Sequence, residues 1–199
     1  PSFDTRALDI LERIRGVFAS KGFDGASMQD LARAAEMSAG NFYRYFPSKD
    51  AIIEAMIARD LAEVEADFSA ILNADNPRAA LLETADRHIR QKAQHDAPLW
   101  AEIEAAAIRR REVADLASQM EAILLSNIAR VFARLTDLSE AEASERFRAH
   151  AQLLIVLVKG AAIDSCVPQG AGEAGPSRRG EDFHALVLRT LDHILDDVI

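Results

Sequence analysis

One cysteine, six prolines and nine glycines are all that this chain of 199 residues contains. The lone thiol, Cys166, excludes an intramolecular disulfide framework and a zinc site built from several cysteines. It fits a reducing compartment. So few turn-formers leave little room for many short strands joined by tight turns. That argues against a sandwich or barrel and for long helices. Aromatics make up only 6%, and alanine carries much of the apolar share, which also favours helix. Long hydrophobic runs are missing too. The longest, residues 153–158, is about a third of the roughly 20 residues that a bilayer span needs. The opening Pro1-Ser2-Phe3-Asp4 leads into a charged, amphipathic stretch, without the basic-then-apolar order of a secretory leader. A cytoplasmic location and no membrane partner are therefore expected. Positive charge is in short supply as well: 23 Lys and Arg face 32 Asp and Glu, a net charge of -9. Nucleic-acid-binding domains are usually basic, so the global balance counts against one.

What is present is ordinary for a globular chain, with 49% hydrophobic and 28% charged residues. The length suits one domain of fair size or two small ones. Residues 4–20 carry Ala7, Leu8, Leu11, Ile14, Val17 and Phe18 at spacings of three and four, which predicts a helix with one buried stripe. Lys21-Gly22 ends it, with Gly22 as a left-handed cap. Ser27 with Asp30 has the form of a capping box and opens a second helix to about Ala35. Ser38 caps a short third helix through Tyr45. After Pro47-Ser48 a long fourth helix reaches about Leu72. Pro77 starts a fifth, to about Gln94, and Pro98 a sixth, ending at a corner formed by residues 109–112. Residues 113–135 are helical again. Ser139 with Glu142 is a second capping box, opening a helix to about Cys166. Residues 167–180 form the one long loop, and residues 181–198 the last helix. The expected class is all-α with about nine helices. The expected domains are residues 1–47 and 48–199, with 48–72 as the connecting helix.

Residues 27–46 read as helix, short turn, helix. Ala32 and Ala35 are small enough for the two helices to cross closely. Leu31, Met37, Phe42 and Phe46 are the apolar residues that would fix that crossing on the first helix, and for both phenylalanines core packing is the expectation. Ser38, Ala39, Gly40 and Asn41 are short-chained, so the backbone of the second helix can approach base edges in a major groove. Tyr43, Arg44, Tyr45 and Lys49 flank them as phosphate donors. Ser27 and Ser48 sit where free backbone N–H groups can meet a phosphate.

Two stretches carry a family resemblance: residues 22–32, Gly-Phe-Asp-Gly-Ala-Ser-Met-Gln-Asp-Leu-Ala, and residues 37–52, Met-Ser-Ala-Gly-Asn-Phe-Tyr-Arg-Tyr-Phe-Pro-Ser-Lys-Asp-Ala-Ile. They resemble the N-terminal domain of the TetR/AcrR family of bacterial transcriptional regulators, over roughly the first 55 residues. The resemblance implies a helical homodimer on a palindromic double-stranded operator, with a C-terminal domain that dimerises and binds a small-molecule inducer. Position by position it implies a phosphate contact for Ser27 and the start of the recognition helix for Ser38, Ala39 and Gly40. Asn41 matches a position that is often Thr, and Asn can read adenine bidentately. Tyr43, Tyr45 and Lys49 match phosphate contacts, and for Arg44 both phosphate and guanine stay open. Glu36 departs from the family pattern, where glycine is common. If that position needs a positive φ, glutamate is strained there.

By the same resemblance the inducer pocket lies among the helices of residues 77–135. Trp100, Ile103, Met120, Leu124 and Phe132 are its candidate lining, with His88, His95 or His150 as polar anchors, although apolar residues at helical spacing usually just pack. Residues 153–158 are apolar on every side of a helix, which asks for burial on every side. With the last helix they make a candidate dimer interface: Leu153, Val156, Leu157, Gly160, Phe183, Leu186, Leu191 and Ile194. No nucleophile–base set, phosphate loop or metal cluster stands out, so neither an enzyme nor a bound cofactor is expected. The competing reading is a helical module that binds a protein or a ligand and never touches DNA. Charge resolved along the chain favours the first reading. Residues 1–50 hold seven basic and seven acidic side chains, so the whole excess of acid lies beyond them. From Met37 to Lys49 there are two basic residues and no acid.

Overall fold

A computed structural model describes residues 5–165 and 178–199, without the side chains of residues 91–99, 178 and 179. Cys166, most of the expected loop and the side chain of His95 fall outside the described residues. Among the described residues there is no strand, and ten α-helices carry the fold. They form two compact units.

The first unit comprises Pro1–Glu63 and Pro98–Met120. Its helices are α1 (Thr5–Gly25), α2 (Met28–Ala34), α3 (Ala39–Tyr45) and the first part of α4 (Lys49–Asn73), with residues from α6 (Ala93–Arg109) and α7 (Arg111–Thr136). The stripe of α1 buries Ile10, Leu11, Ile14 and Phe18, as its spacing requires. Gly22 interrupts that helix at φ 71 and ψ 166. The φ is on the glycine side of the map, but ψ is extended rather than left-handed helical. The expected left-handed cap is thus a sharper exit, and Phe23 turns inward to stack on Phe18 with centroids 5.7 Å apart. The domain boundary expected at residue 47 does not coincide with the edge of this unit. Ile52, Ile53, Met56 and Ile57 of α4 share one core with α1, α2 and α3, and Ile103, Ala106 and Val113 close it.

The second unit comprises Val64–Ala97 and Glu121–Ile199. It contains α5 (Pro77–Arg87), α8 (Glu140–Arg146), α9 (Arg148–Asp164), α10 (Arg178–Asp196) and the remaining parts of α4, α6 and α7. Val64, Phe68, Ile71, Val131, Phe132, Leu191 and Leu195 are among its core. Arg78 of α5 reaches both Asp192 and Asp196 of α10 at 2.6 Å. Those two carboxylates, Asp196 foremost, raise the guanidinium above its ordinary pKa.

Three helix boundaries differ from the sequence reading. A π-helical turn over His88–Lys92 carries the chain from α5 into α6 without a break, so Pro98 lies inside α6 rather than at its start. The helix expected from Ser139 to Cys166 is two helices, which raises the total to ten. Phe147 leaves helical geometry at φ -112, ψ 19, with its ring buried edge-on against Phe132. The last helix begins at Arg178, a turn of chain earlier than expected. Among the described residues, no helix is long and apolar enough to cross a membrane.

Candidate nucleic-acid interface

Both helix starts of the expected helix-turn-helix are built as their sequences dictate. Ser27 Oγ accepts from Asp30 N at 3.1 Å, and Asp30 Oδ2 accepts from Ser27 N at 3.1 Å, a complete capping box. The Ser27 hydroxyl also donates to Asp30 Oδ2 at 2.7 Å. The donors that Ser27's neighbourhood offers to an anion are therefore backbone N–H groups rather than this hydroxyl. Lys21 lies 2.8 Å from Asp30 Oδ1. Its hydrogen bond, with those from Ser27, holds the Asp30 carboxyl well below the usual carboxylate range. A depressed carboxyl contributes stability above the unfolded value of about pH 4 and loses it as pH falls through the lower folded one. At α3, Ser38 Oγ accepts from Asn41 N at 3.4 Å.

The turn between α2 and α3 is closed by Met37 N on Ala32 O at 2.9 Å and Glu36 N on Arg33 O at 3.0 Å. Leu31, Ala32 and Ala35 are buried at the crossing, as their sizes predict. Phe42 and Phe46 point inward with ring centroids 5.9 Å apart. The opposite side of α3 is left open. Ser38, Ala39, Gly40, Asn41, Tyr43 and Arg44 are exposed, and Tyr45 and Lys49 are half-buried. A Cβ built on Gly40 would meet nothing within 4 Å. The small residues, Tyr43 and Arg44 are thus turned outward, Tyr45 packs partly on the core, and the bulky apolar groups anchor the helix from behind.

Glu36 does sit at a positive φ, 56°. Its side chain reaches Arg13 Nη1 at 2.9 Å, but the carboxylate is 80% exposed. The exposed pair is weak, whereas a non-glycine residue at left-handed φ costs about 1–2 kcal/mol. Glycine adds back about 0.4–1 kcal/mol of unfolded-state entropy, so Glu36→Gly is expected to raise stability by up to about 1.5 kcal/mol. A urea titration checks this, and a lower midpoint would refute it.

Lys49 has a structural duty that its sequence position did not reveal. Its ammonium donates to Phe23 O at 2.8 Å and Asp24 O at 3.3 Å, and lies over the Phe23 ring at 4.9 Å. Sequence reading also missed Glu102, Arg109 and Arg110. Phe23 N donates to Glu102 Oε2 at 3.1 Å. Arg109 pairs with Asp24 at 3.2 Å, and Arg110 with Asp50 at 2.8 Å. The arginines had shown only as a helix corner. No periodicity links them to positions about 60 and 85 residues earlier.

The five expected pocket residues do not fall in one unit. Trp100, Ile103 and Met120 join the first core, where the Trp100 indole N–H donates to the buried Asp60 at 3.1 Å. Leu124 and Phe132 belong to the second. Phe132 is fully buried and, with Phe147, borders a dent between α7, α8 and α9. His88 is tied to Asp67 at 3.1 Å, and His150 packs edge-on against Phe147. Of the expected dimer residues, Leu153, Val156, Gly160, Phe183 and Leu186 are exposed and Leu157 is half-buried. Leu191 and Ile194 are buried in the chain's own core, because α10 turns that side toward it.

An all-helical chain with a short, small-residue helix standing clear of a capped helix and turn belongs to the helix-turn-helix class. The comparisons narrow it. Residues 10–56 match the family described as "Bacterial regulatory proteins, tetR family". The chain's N-terminal segment is thus similar to the DNA-binding domain of that family. It is similar to the uncharacterized HTH-type transcriptional regulator YuxN of Bacillus subtilis (strain 168), 37% identical over 75 residues, 36% of this chain and 25% of that protein. The chain thus spans about a quarter of the length of that curated relative. Across nearly its whole length the fold is similar to that of Salmonella enterica GusR, with TM-score 0.73, 23% identity and 96% and 95% of the two chains covered. It is also similar to AibR, solved in complex with isovaleryl coenzyme A and operator DNA, with TM-score 0.65, 16% identity and 94% and 97% covered. The curated relatives are described as transcriptional regulators, not as enzymes.

Proposed function

We propose that the chain is a cytoplasmic, ligand-responsive transcriptional repressor that binds a palindromic operator as a homodimer and is released by a small-molecule inducer. The observation that carries the reading is the outer face of α3. It is small, exposed and free of acids from Met37 to Lys49, and buried aromatics hold it rigidly from behind. Ser38, Ala39, Gly40 and Asn41 would face base edges. Tyr43, Arg44, Tyr45, Lys49 and the N–H groups after Ser27 would hold the phosphates. Two such faces reach successive major grooves when a dimer sets them about 34–36 Å apart. Release then requires an inducer that binds one arrangement of the dimer more tightly than the other. The neighbour AibR, whose structure holds both an acyl coenzyme A and operator DNA, supports pairing the two ligands in one protein. A gel shift with DNA from upstream of the protein's own coding sequence tests the reading. A specific, strongly salt-dependent shift is expected, and no shift at low salt would refute it.

The dimer has its own support. Leu153, Val156, Phe183 and Leu186 leave an apolar face on α9 and α10, which pack on each other. Val156 is 64% exposed, so Val156→Arg leaves the folded monomer nearly unchanged. A buried unpaired charge costs a dimer several kcal/mol, enough to move it to monomer at micromolar concentration in sedimentation equilibrium. A variant that stayed dimeric would place the interface elsewhere.

A further inference from the structure

The local sequence around the proposed reading face holds four carboxylates between residues 21 and 50: Asp24, Asp30, Glu36 and Asp50. Left bare they would repel DNA, since all lie within a few turns of chain from Ser27, α3 or Lys49. Each has a cationic partner. Asp30 is paired with Lys21 and Glu36 with Arg13, both from α1. The partners of Asp24 and Asp50 come from the α6–α7 corner, Arg109 and Arg110. The same corner grips the end of α1 just after the Gly22 kink. The Arg110 guanidinium covers the Phe23 ring at 5.0 Å, beside the Lys49 ammonium on that ring at 4.9 Å. Glu102 takes the Phe23 N–H, and its Oε2 lies 3.0 Å from where a Cβ on Gly22 would stand. Four side chains therefore hold Phe23 and Asp24, a few residues before α2.

We propose, resting on the DNA-binding reading above, that Arg110 and Arg109 are positioning residues of the nucleic-acid face. They neutralise Asp50 and Asp24, and with Glu102 they hold Phe23 and Asp24, on whose carbonyls the Lys49 ammonium rests and from where it meets a phosphate. The Lys49 ammonium has three donors. Two are spent on Phe23 O and Asp24 O, so the third is aimed only while this segment keeps its place. An uncovered Asp50, one residue from Lys49, would cancel the charge that Lys49 brings. Arg110 matters more than Arg109 because its pair is less exposed, at 31% and 42% against 55% and 63%, and so less screened.

The test uses the full-length protein and a duplex of 30 base pairs chosen by the wild type from a random library, read by fluorescence anisotropy. If the wild type selects no duplex, the DNA-binding reading fails and the proposal with it. Given a duplex, Arg110→Ala is expected to weaken binding about fivefold, the scale of one unmasked surface charge. The slope of log affinity against log salt falls by at most about one counterion, since the uncovered Asp50 cancels charge that Lys49 brings, and it recovers in the Asp50→Asn double variant. Arg110→Ala combined with Asp50→Asn is expected to return to within about twofold of wild type, because the exposed carboxylate is gone. Unchanged affinity in Arg110→Ala overturns the proposal. So does a slope reduced by about one counterion without recovery in the double variant, since that marks a direct phosphate contact. Melting temperatures of all variants accompany the binding data. A fivefold loss that tracks a collapsed melting transition and is not recovered by Asp50→Asn also counts against it.

Discussion

Gly40→Asp is expected to abolish specific DNA binding while leaving the fold intact or slightly more stable. Gly40 is the second residue of α3, and a side chain there meets no protein atom within 4 Å. Replacing glycine in a helix gains up to about 0.5–1 kcal/mol, and a carboxylate in the first turn is favoured by the helix dipole, by about 0.3–1 kcal/mol. Against DNA the same carboxylate stands where base edges and phosphates would come closest. Like charges brought together there cost several kcal/mol, and the displaced base contacts about 1–3 kcal/mol more. The expected loss is at least about 100-fold in affinity, with an unchanged or higher melting temperature. Gly40→Asn separates charge from size and should retain much more affinity than the aspartate. Wild-type affinity in the aspartate variant would remove α3 from the interface.

Phe42→Ala is expected to have the largest effect on stability. The ring is fully buried in the first core and lies beside Phe46. Truncating a buried phenylalanine costs about 3–5 kcal/mol, against a total of about 5–15 kcal/mol for a typical domain. α3 has only seven residues and no stability of its own, so losing this anchor loosens the helix that presents Ser38 to Asn41. A urea titration should show the midpoint fall, and DNA affinity should fall with it. A loss below about 1 kcal/mol would mean that the site refills without the ring. Together the two substitutions divide the short helix: Gly40 tests its outer face at constant fold, and Phe42 tests its inner face at constant surface chemistry.

Much of the proposed interface was legible in the chain. Ser27 with Asp30, and Ser38 at the next helix start, are local hydrogen-bonding patterns that act through the nearest backbone N–H groups. The inward turn of Phe42 and Phe46 follows from a spacing of four on one helix. At Glu36 the resemblance, with glycine common at that position, raised the question of a positive φ, and the structure answers it with φ 56. Other features were not legible. Phe147 breaks a helix whose capping box and apolar pattern gave no stop signal, because its ring has a place against Phe132, distant in sequence. Residues 88–92 pass from one helix to the next by a wider turn, which hydrophobic spacing does not encode. Leu191 and Ile194 looked like Phe183 and Leu186, since all are apolar on one helix. Only packing decided which of them the chain would bury itself.

The scarcity of cysteine, glycine and proline, the helical spacing and the caps by themselves determined an all-helical chain with a small helix-turn-helix at its start, since those signals act within a few residues. Tertiary structure decided where that unit ends, and that Arg109 and Arg110 complete the charge balance of a surface some 60 to 85 residues earlier in the chain. Ion pairs form through space, and sequence distance carries no force.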